Sequence, residues 1–376
     1  MINIRKTTLV LIIVITFIFS VVGTWSVINL MGRSAGSAGN ISNDKLTEIQ
    51  SYIDQYYLDD YKQADLDEGA YKGYVAGLGD VYSLYMPKDE YESFMATVTG
   101  DYDGVGIVFS GDNDGNYIVM DVVPGSPAEK AGVKPGDYIL TVDGKTYDDA
   151  DVMASHIRGK KGSTVKLELY IDGKTVKKEL TREHIVQQSV SSKMLDDDTG
   201  YIEINSFIDS TYEDFEAALK KIENKKAKKL VLDLRNNGGG IVSECVNIAD
   251  QFLDEGVVVY TEDKNGNLDS YNAANGKTKL KTVVLVNENS ASASEILAAA
   301  MKDNGYTIVG TQTFGKGVIQ STVNLEDGSA LKLTIMRYLS PKKHVIDKKG
   351  IKPNIKVEDD ENTEADEQLE KALEKL

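Results

Sequence analysis

Ser290-Ala-Ser-Ala-Ser294-Glu295-Ile296 is followed, after a stretch patterned as one helix and one strand, by Phe314-Gly-Lys316-Gly-Val-Ile-Gln320. A serine, a lysine and a glutamine in this order form the arrangement of a hydrolase that works without histidine. Ser292 and Lys316 lie 24 residues apart. That is enough chain for a helix from Ser294 to Lys302, a turn at Asp303-Asn-Gly305 and a strand from Tyr306 to Val309, a path that can bring the two side chains back together. A serine hydroxyl is a weak nucleophile and needs a base within hydrogen-bond reach. A lysine can be that base only if desolvation or nearby positive charge lowers its pKa. The stretch reads as a Ser-Lys pair. The serine attacks a carbonyl carbon, neutral Lys316 takes its proton and hands it to the leaving amine, and Gln320, four positions on, orients the amine.

Plainer readings exist for each residue. Ser292-Ala-Ser-Glu295 fits a capping box, and on spacing alone a helix cap is the better reading of Ser292. The two roles are compatible, because a nucleophile at a helix N-terminus sits beside free backbone N–H groups that can bind an oxyanion. A lysine between glycines is usually a solvated loop residue, and Gln320 reads equally as a strand surface residue. Only the ensemble favours chemistry.

The whole run Ser290–Gln320 resembles the active-site region of the carboxyl-terminal processing (tail-specific) serine proteases. The resemblance extends from about Leu46 to about Val357. It takes in Gly79-Asp-Val-Tyr-Ser-Leu-Tyr-Met86, Asp103-Gly-Val-Gly-Ile107, Pro124-Gly-Ser-Pro-Ala-Glu-Lys-Ala-Gly-Val-Lys-Pro-Gly-Asp137 and Asp233-Leu-Arg-Asn-Asn-Gly-Gly-Gly240. It implies a Ser-Lys pair assisted by Gln and selects the middle serine, Ser292, a choice that spacing cannot make. It also implies an oxyanion hole from the N–H groups of Gly239, with Gly238 next in line, and Ala293. One departure is Asn354, where the family has aspartate.

With 376 residues the chain can hold two compact domains. Its 42 basic and 59 acidic residues leave a net charge of −17, which argues against nucleic acid as a partner. Part of the acidic excess lies in Glu358–Glu367, read as a solvated helix or a tail within the acidic segment 358–376. Thr7–Leu30 is almost uniformly apolar and follows Arg5 and Lys6, as in a membrane anchor with the remainder of the chain outside the cytoplasm. The alternative is a cleaved signal peptide and a secreted product. Cys245, the single cysteine, falls on the apolar stripe Ile241, Cys245, Ile248, Phe252 and reads as a core residue. His156, His184 and His344 have no metal-ligand spacing, so no metal or other cofactor is expected.

Along the chain, 1–31 is the cytoplasmic start and transmembrane helix, 32–43 a Gly/Ser/Ala linker and 44–96 a helical arm. Leu46, Ile49, Ile53, Tyr56 and Tyr57 recur there at helical spacing, as core or as an interface; the family resemblance implies a homodimer through this arm. Residues 97–183 change to short β-type runs with a hairpin turn at Asp172-Gly173 and a short helix at Pro127–Ala131. They resemble a PDZ domain, in which Gly104, Val105, Gly106 and Ile107 match the loop that captures a terminal carboxylate. A lone G-x-G turn would by itself say less. From 184 to 357 strands and helices alternate as in an α/β core. Asn237-Gly-Gly-Gly240 lacks both the Walker ending and dinucleotide spacing, which excludes a nucleotide cradle.

The expected fold is thus an α/β protease core of mixed sheet and helices with an inserted β-rich PDZ domain, a helical N-terminal arm and an N-terminal transmembrane helix. The expected activity is that of an extracytoplasmic serine endopeptidase choosing protein substrates by free, apolar C-termini. Arg158, in Ile157-Arg-Gly159, is a candidate for coupling PDZ to protease by charge, with a surface arginine as the plain alternative. Two rivals are a catalytically silent PDZ scaffold and a PDZ-bearing protease of the trypsin-like class, which would need a histidine base.

Overall fold

The computed structural model describes residues 43–376 except 112–115, 148–149, 275, 277 and 359–364. The expected anchor, Thr7–Leu30, lies outside these residues. Among the described residues no helix is long and apolar enough to cross a membrane. The chain divides into one unit ending at Asp65 and a second from Leu66. In the first, α1 (Asn43–Tyr56) leaves Leu46, Ile49, Tyr56 and nearby Tyr57 exposed, and Asp54 and Gln50 both bond the Tyr61 hydroxyl.

The second unit begins within α2 (Gln63–Ala76) and continues through β1 (Leu84–Met86) and α3 (Lys88–Thr99), so the arm expected to be helical also carries a strand. β2 (Asp101–Gly104) leads into an antiparallel sheet ordered β3 (Ile107–Gly111), β4 (Tyr117–Val122), β5 (Tyr138–Val142), β6 (Thr164–Ile171) and β7 (Lys174–Thr181). Two helices, α4 (Pro127–Lys130) and α5 (Ala150–Ile157), complete this domain, and β8 (Glu183–Val186) pairs with β2 on the way out. Its hairpin turn has positive φ at both Asp172 (49°) and Gly173 (77°), the geometry that this dipeptide favours. Val105, Val119, Met153, Leu167 and Leu169 form its core. β3 is an edge strand. Between β2 and β3 the extended backbone breaks at Val105-Gly106.

The remaining elements are β9 (Val190–Met194), β10 (Thr199–Ile204), α6 (Thr211–Asn224), β11 (Lys229–Asp233), α7 (Val242–Asp250), β12 (Gly256–Asp263), β13 (Leu268–Ala273), β14 (Lys281–Val286), α8 (Ala293–Asp303), β15 (Thr307–Gly310), β16 (Val318–Asn324), β17 (Ala330–Leu339), β18 (Ile355–Lys356) and α9 (Glu367–Lys375). One sheet runs β18-β15-β14-β11-β10-β9, parallel except for β9. Its strands alternate side chains between two buried faces, as parallel strands require. Leu230, Leu232, Val284 and Val286 enter the main core with α6, α7 and α8, whereas Val231, Val283, Leu285 and Val309 face the other way. A second sheet, β1-β17-β12-β13 with β16 on β17, is antiparallel.

The C-terminal segment, expected as a solvated helix or a tail, does hold a helix, α9, but that helix is docked and not solvated. Leu369, Ala372 and Leu376 make an apolar stripe within an acidic sequence and cover the second sheet face, with Ala372 fully buried. Net charge concealed that stripe. Asn354, the departure from the family pattern, bonds the backbone of Ile308 through both its N–H and its Oδ1, an acceptor role that aspartate fills equally.

Candidate active site

The stretch from the end of β14 into the first turn of α8 carries the three serines, and the structure gives them different work. Ser290 and Ser294 are fully buried, and their hydroxyls donate to the carbonyls of Leu234 and Asn237, each at 2.8 Å. Ser292 between them is partly exposed and sits at the N-cap of α8 with φ 56° and ψ −117°. A serine held in so sparsely populated a region costs about 1–3 kcal/mol and is found where surrounding contacts over-determine it.

Glu295 supplies those contacts. Its Oε2 accepts from the N–H of Ser292 at 3.0 Å and from the N–H of Lys316 at 2.8 Å. Its Oε1 accepts from Thr313 Oγ1 at 2.6 Å and from Gly315 N–H at 2.7 Å. Burial pushes the carboxyl above its usual pKa, against the pull of these four donors. The capping box read from sequence is present, and the same glutamate reaches across to the lysine loop. The Tyr338 hydroxyl, buried on β17, joins the carbonyls of the same two residues, Ser292 and Lys316.

Lys316 stands between two glycines, each pressed against the chain at 347–350. A Cβ on Gly317 would run into the backbone of Asp347, and one on Gly315 would lie 3.0 Å from Gly350 N. The Lys316 ammonium lies over the Tyr82 ring, 4.9 Å from its centroid, and no hydrogen bond joins it to Ser292. Burial, and then the positive charge of Lys332, hold its pKa below the usual lysine value, while Asp80 and Glu295 pull the other way. Gln320 lies on β16 beside a bulge, and its Nε2 donates to Thr334 Oγ1 at 3.2 Å. Thr334 bonds Asp80 in turn. Partial burial pushes the Asp80 carboxyl up, but bonds from Ser83, Thr334 and Tyr82 N–H together hold it below its usual range.

The glycine turn after β11 meets Ser292 directly. A Cβ on Gly239 (φ 101°) would lie 2.7 Å from Ser292 Cβ and 2.9 Å from Ala293 N, so only glycine permits this approach. The N–H of Gly239, however, donates to Asn237 Oδ1 at 2.8 Å. Those of Gly238 and Ala293 have no hydrogen-bond partner among the described residues.

In the inserted domain the carbonyls of Val105 and Gly106 are tied inward by Ala128 N–H and Val123 N–H, each at 2.9 Å, while the N–H groups of Val105 and Gly106 have no partner among the described residues. Gly106 adopts φ 79°, and a Cβ there would collide with Ser126. Beyond this turn a cleft of about 210 Å³ runs between β3 and α5, lined by Ile107, Phe109, Ala154 and Ile157 among others. Arg158 stands at its edge. It donates to the carbonyl and hydroxyl of Ser93 and, at 2.9 Å, to Thr97 Oγ1, with its guanidinium 4.9 Å from the Tyr102 ring centroid. It is anchored on α3 and does not float at the surface.

Residues 198–357 match Peptidase family S41 and residues 104–181 match the PDZ domain. The carboxy-terminal processing protease CtpA of Bacillus subtilis (strain 168) is 37% identical over 336 residues, covering 88% of this chain and 72% of that one. The chain belongs to the carboxyl-terminal processing peptidases of family S41. The chloroplastic carboxyl-terminal-processing peptidase 3 of Arabidopsis thaliana is 38% identical over 81% of this chain and 62% of its own. A solved photosystem II D1 C-terminal processing protease superposes with a TM-score of 0.58 at 30% identity, covering 83% of this chain and 86% of that one. This chain is therefore a serine peptidase with a PDZ domain, a module that binds peptide or protein segments.

Within this peptidase, Cys245 is buried beneath the site, its thiol donating to the carbonyl of Ala293 at 3.0 Å and its pKa pushed up by burial. No histidine is bonded to the three serines: His156 faces Tyr147, His184 lies between Asp101 and Asp103, and His344 is near Asp303. No group of three or more His, Cys, Asp or Glu among the described residues is arranged to hold a metal ion. Sequence reading named Ser292, Lys316 and Gln320 but missed Glu295 as a link to the lysine loop, and missed Tyr338, Asp80 and Tyr82 altogether. The motif Gly79–Met86 was the available signal for the last two.

Proposed function

We propose that this peptidase is an endopeptidase in which Ser292 is the nucleophile and Lys316 its base, and that the PDZ domain chooses substrates by their C-terminal carboxylates. The observation that carries the reading is the Glu295 carboxylate, whose single oxygen Oε2 binds the backbone N–H of both Ser292 and Lys316. Two residues from separate loops are thereby fixed to one point beside a lysine of lowered pKa. Ser292 attacks the scissile carbonyl as Lys316 takes its proton, and Lys316 then protonates the departing amine. The Ser292–Lys316 hydrogen bond forms with substrate, as catalytic bonds of unliganded enzymes often do. Gln320, held by Thr334, orients the lysine. Ala293 N–H and, because Gly239 is committed to Asn237, Gly238 N–H are the favoured oxyanion donors. Arg5 and Lys6 before Thr7–Leu30 support a membrane-anchored peptidase with its catalytic part outside the cytoplasm.

The pH profile follows from the charges that face Lys316. Neutral lysine is the working form, so kcat/KM rises with pH through its pKa. Lys332→Gln removes a repelling charge, stabilises protonated Lys316 and should move the rising limb to higher pH. Asp80→Asn removes an attracting charge and should move it lower. Profiles on a short peptide will read this, and a limb unmoved by both changes would rule out Lys316 as the titrating group.

Tail selection is tested by comparing free-acid and amidated substrates below saturation. A free carboxylate on the Gly104–Ile107 turn is worth about 1.5–3 kcal/mol per charge-assisted bond, roughly tenfold or more in kcat/KM. Gly106→Val should reproduce that loss by driving a side chain into Ser126 while leaving cleavage of short amidated peptides intact. Equal cleavage of acid and amide would show that the domain does not read the terminus. Arg158 couples this domain to the site through α3, whose Phe94 carries Lys332 at 4.7 Å, the residue whose charge depresses Lys316.

A further inference from the structure

The glycine turn is also held on the side away from Ser292, by groups to which the reading above gives no role. β11 ends at Asp233, where the buried carboxylate accepts from Tyr201 Oη at 2.8 Å and from Arg235 Nε and Nη2 at 2.9 Å and 2.6 Å. The rest of the Arg235 fork goes to a residue far along the chain: Nη1 and Nη2 donate to Asp366 Oδ1 and Oδ2, both at 2.8 Å. Such a bidentate pair fixes a guanidinium in direction as well as in place. Asp366 is itself the N-cap of α9, accepting from Leu369 N–H at 2.8 Å. The neighbouring Gln368, also buried, donates to the carbonyl of Val357 at 3.0 Å. Burial disfavours the charge on Arg235, but its bonds to the two accepting carboxylates prevail and strengthen it.

Arg235 immediately precedes Asn236 (φ 57°) and Asn237, and Asn237 Nδ2 donates to Ile204 O at 2.7 Å while its Oδ1 takes Gly239 N–H. The local pair with Asp233, two residues away, fixes Arg235 only to its own strand end. Asp366 fixes it to the helix packed across the sheet.

We propose that Asp366 is a positioning residue for the peptidase reaction: by clamping Arg235 it sets the turn that carries Gly238–Gly240 and so ties the geometry of the oxyanion side to the docking of α9. The inference rests on the reading of Ser292 as nucleophile.

The test uses the full chain with Asp366→Asn, with Asp366→Glu as the rescue, and with Leu219→Ala, a core change in α6, as a control matched for loss of thermal stability. Three quantities are read: kcat and KM on a short peptide, the rate at which a fluorophosphonate labels Ser292 through a tetrahedral adduct, and the melting midpoint. Asp366→Asn should lower kcat and labelling rate together, about tenfold, with KM within about twofold, and Asp366→Glu should regain most of the loss. Leu219→Ala should lose stability and keep its kcat. Wild-type kcat in Asp366→Asn, a change in KM alone, or an equal fall of kcat in Leu219→Ala at equal loss of stability would each overturn the role of Asp366. A Ser292→Ala enzyme that still cleaves would instead sink the nucleophile assignment on which it rests.

Discussion

Ser292→Ala and Lys316→Ala should each reduce turnover by a factor on the order of 10⁴ or more, and the double variant should be no worse than either, because in the proposed mechanism nucleophile and base act as one unit. Both proteins should fold. Ser292 is partly exposed at a helix cap, and its backbone position is set by Glu295 and Tyr338, which the alanine leaves in place. Lys316→Ala forfeits its contact with the Tyr82 ring, about 1–2 kcal/mol at a partly desolvated site. Peptidase assays on variants verified by circular dichroism decide the matter. Undiminished cleavage by Ser292→Ala would end this mechanism, and full activity in Lys316→Ala would require another base.

The second large effect is expected at Glu295, which touches no substrate in the proposed chemistry. Glu295→Gln keeps the shape but turns one oxygen into an amide donor. If that amide replaces Oε2, it faces the N–H groups of Ser292 and Lys316, donor against donor. If the side chain flips, the clash moves to the Gly315 N–H, since the Thr313 hydroxyl can turn and accept. Each buried donor left unsatisfied costs about 1–3 kcal/mol, so one or two of them place the loss of stability at about 1–6 kcal/mol. Freed from their common anchor, the two loops shift, and a displacement of about 1 Å can cost 10²-fold in rate. We expect kcat to fall roughly 100-fold or more, measured well below the lowered melting midpoint. Wild-type kcat in a Glu295→Gln protein of reduced stability would show that the carboxylate serves only the fold.

What could be read from the chain in advance was the part written in local spacing. Ser292 with Glu295 three later marks the start of α8, Asp172-Gly173 marks the hairpin, and the alternation of apolar runs marks the parallel strands. Residues meeting across long intervals left no such trace. Thr334 N–H bonds Ser83 Oγ at 3.0 Å across 251 positions, and Arg235 meets Asp366 across 131. Glu295 was legible as a cap because a helix repeats every 3.6 residues; its second task, at Lys316, follows no period. Charge misled at the C-terminus, where an acidic composition concealed the stripe that docks α9. The glycine turn after β11 was legible, but which N–H it leaves open depends on where the Asn237 side chain rotates, and no spacing encodes that.

The division of labour among the three serines gives the laboratory a tool. Ser290 and Ser294 hold the turn by their own hydroxyls, so the architecture of the cleft does not depend on the residue between them. A chain with alanine at 292 should therefore keep every surface that captures a target while losing the means to let it go as fragments. Such a protein would act as bait: cross-linked in cells and pulled out with whatever it has seized, it would name the natural targets directly.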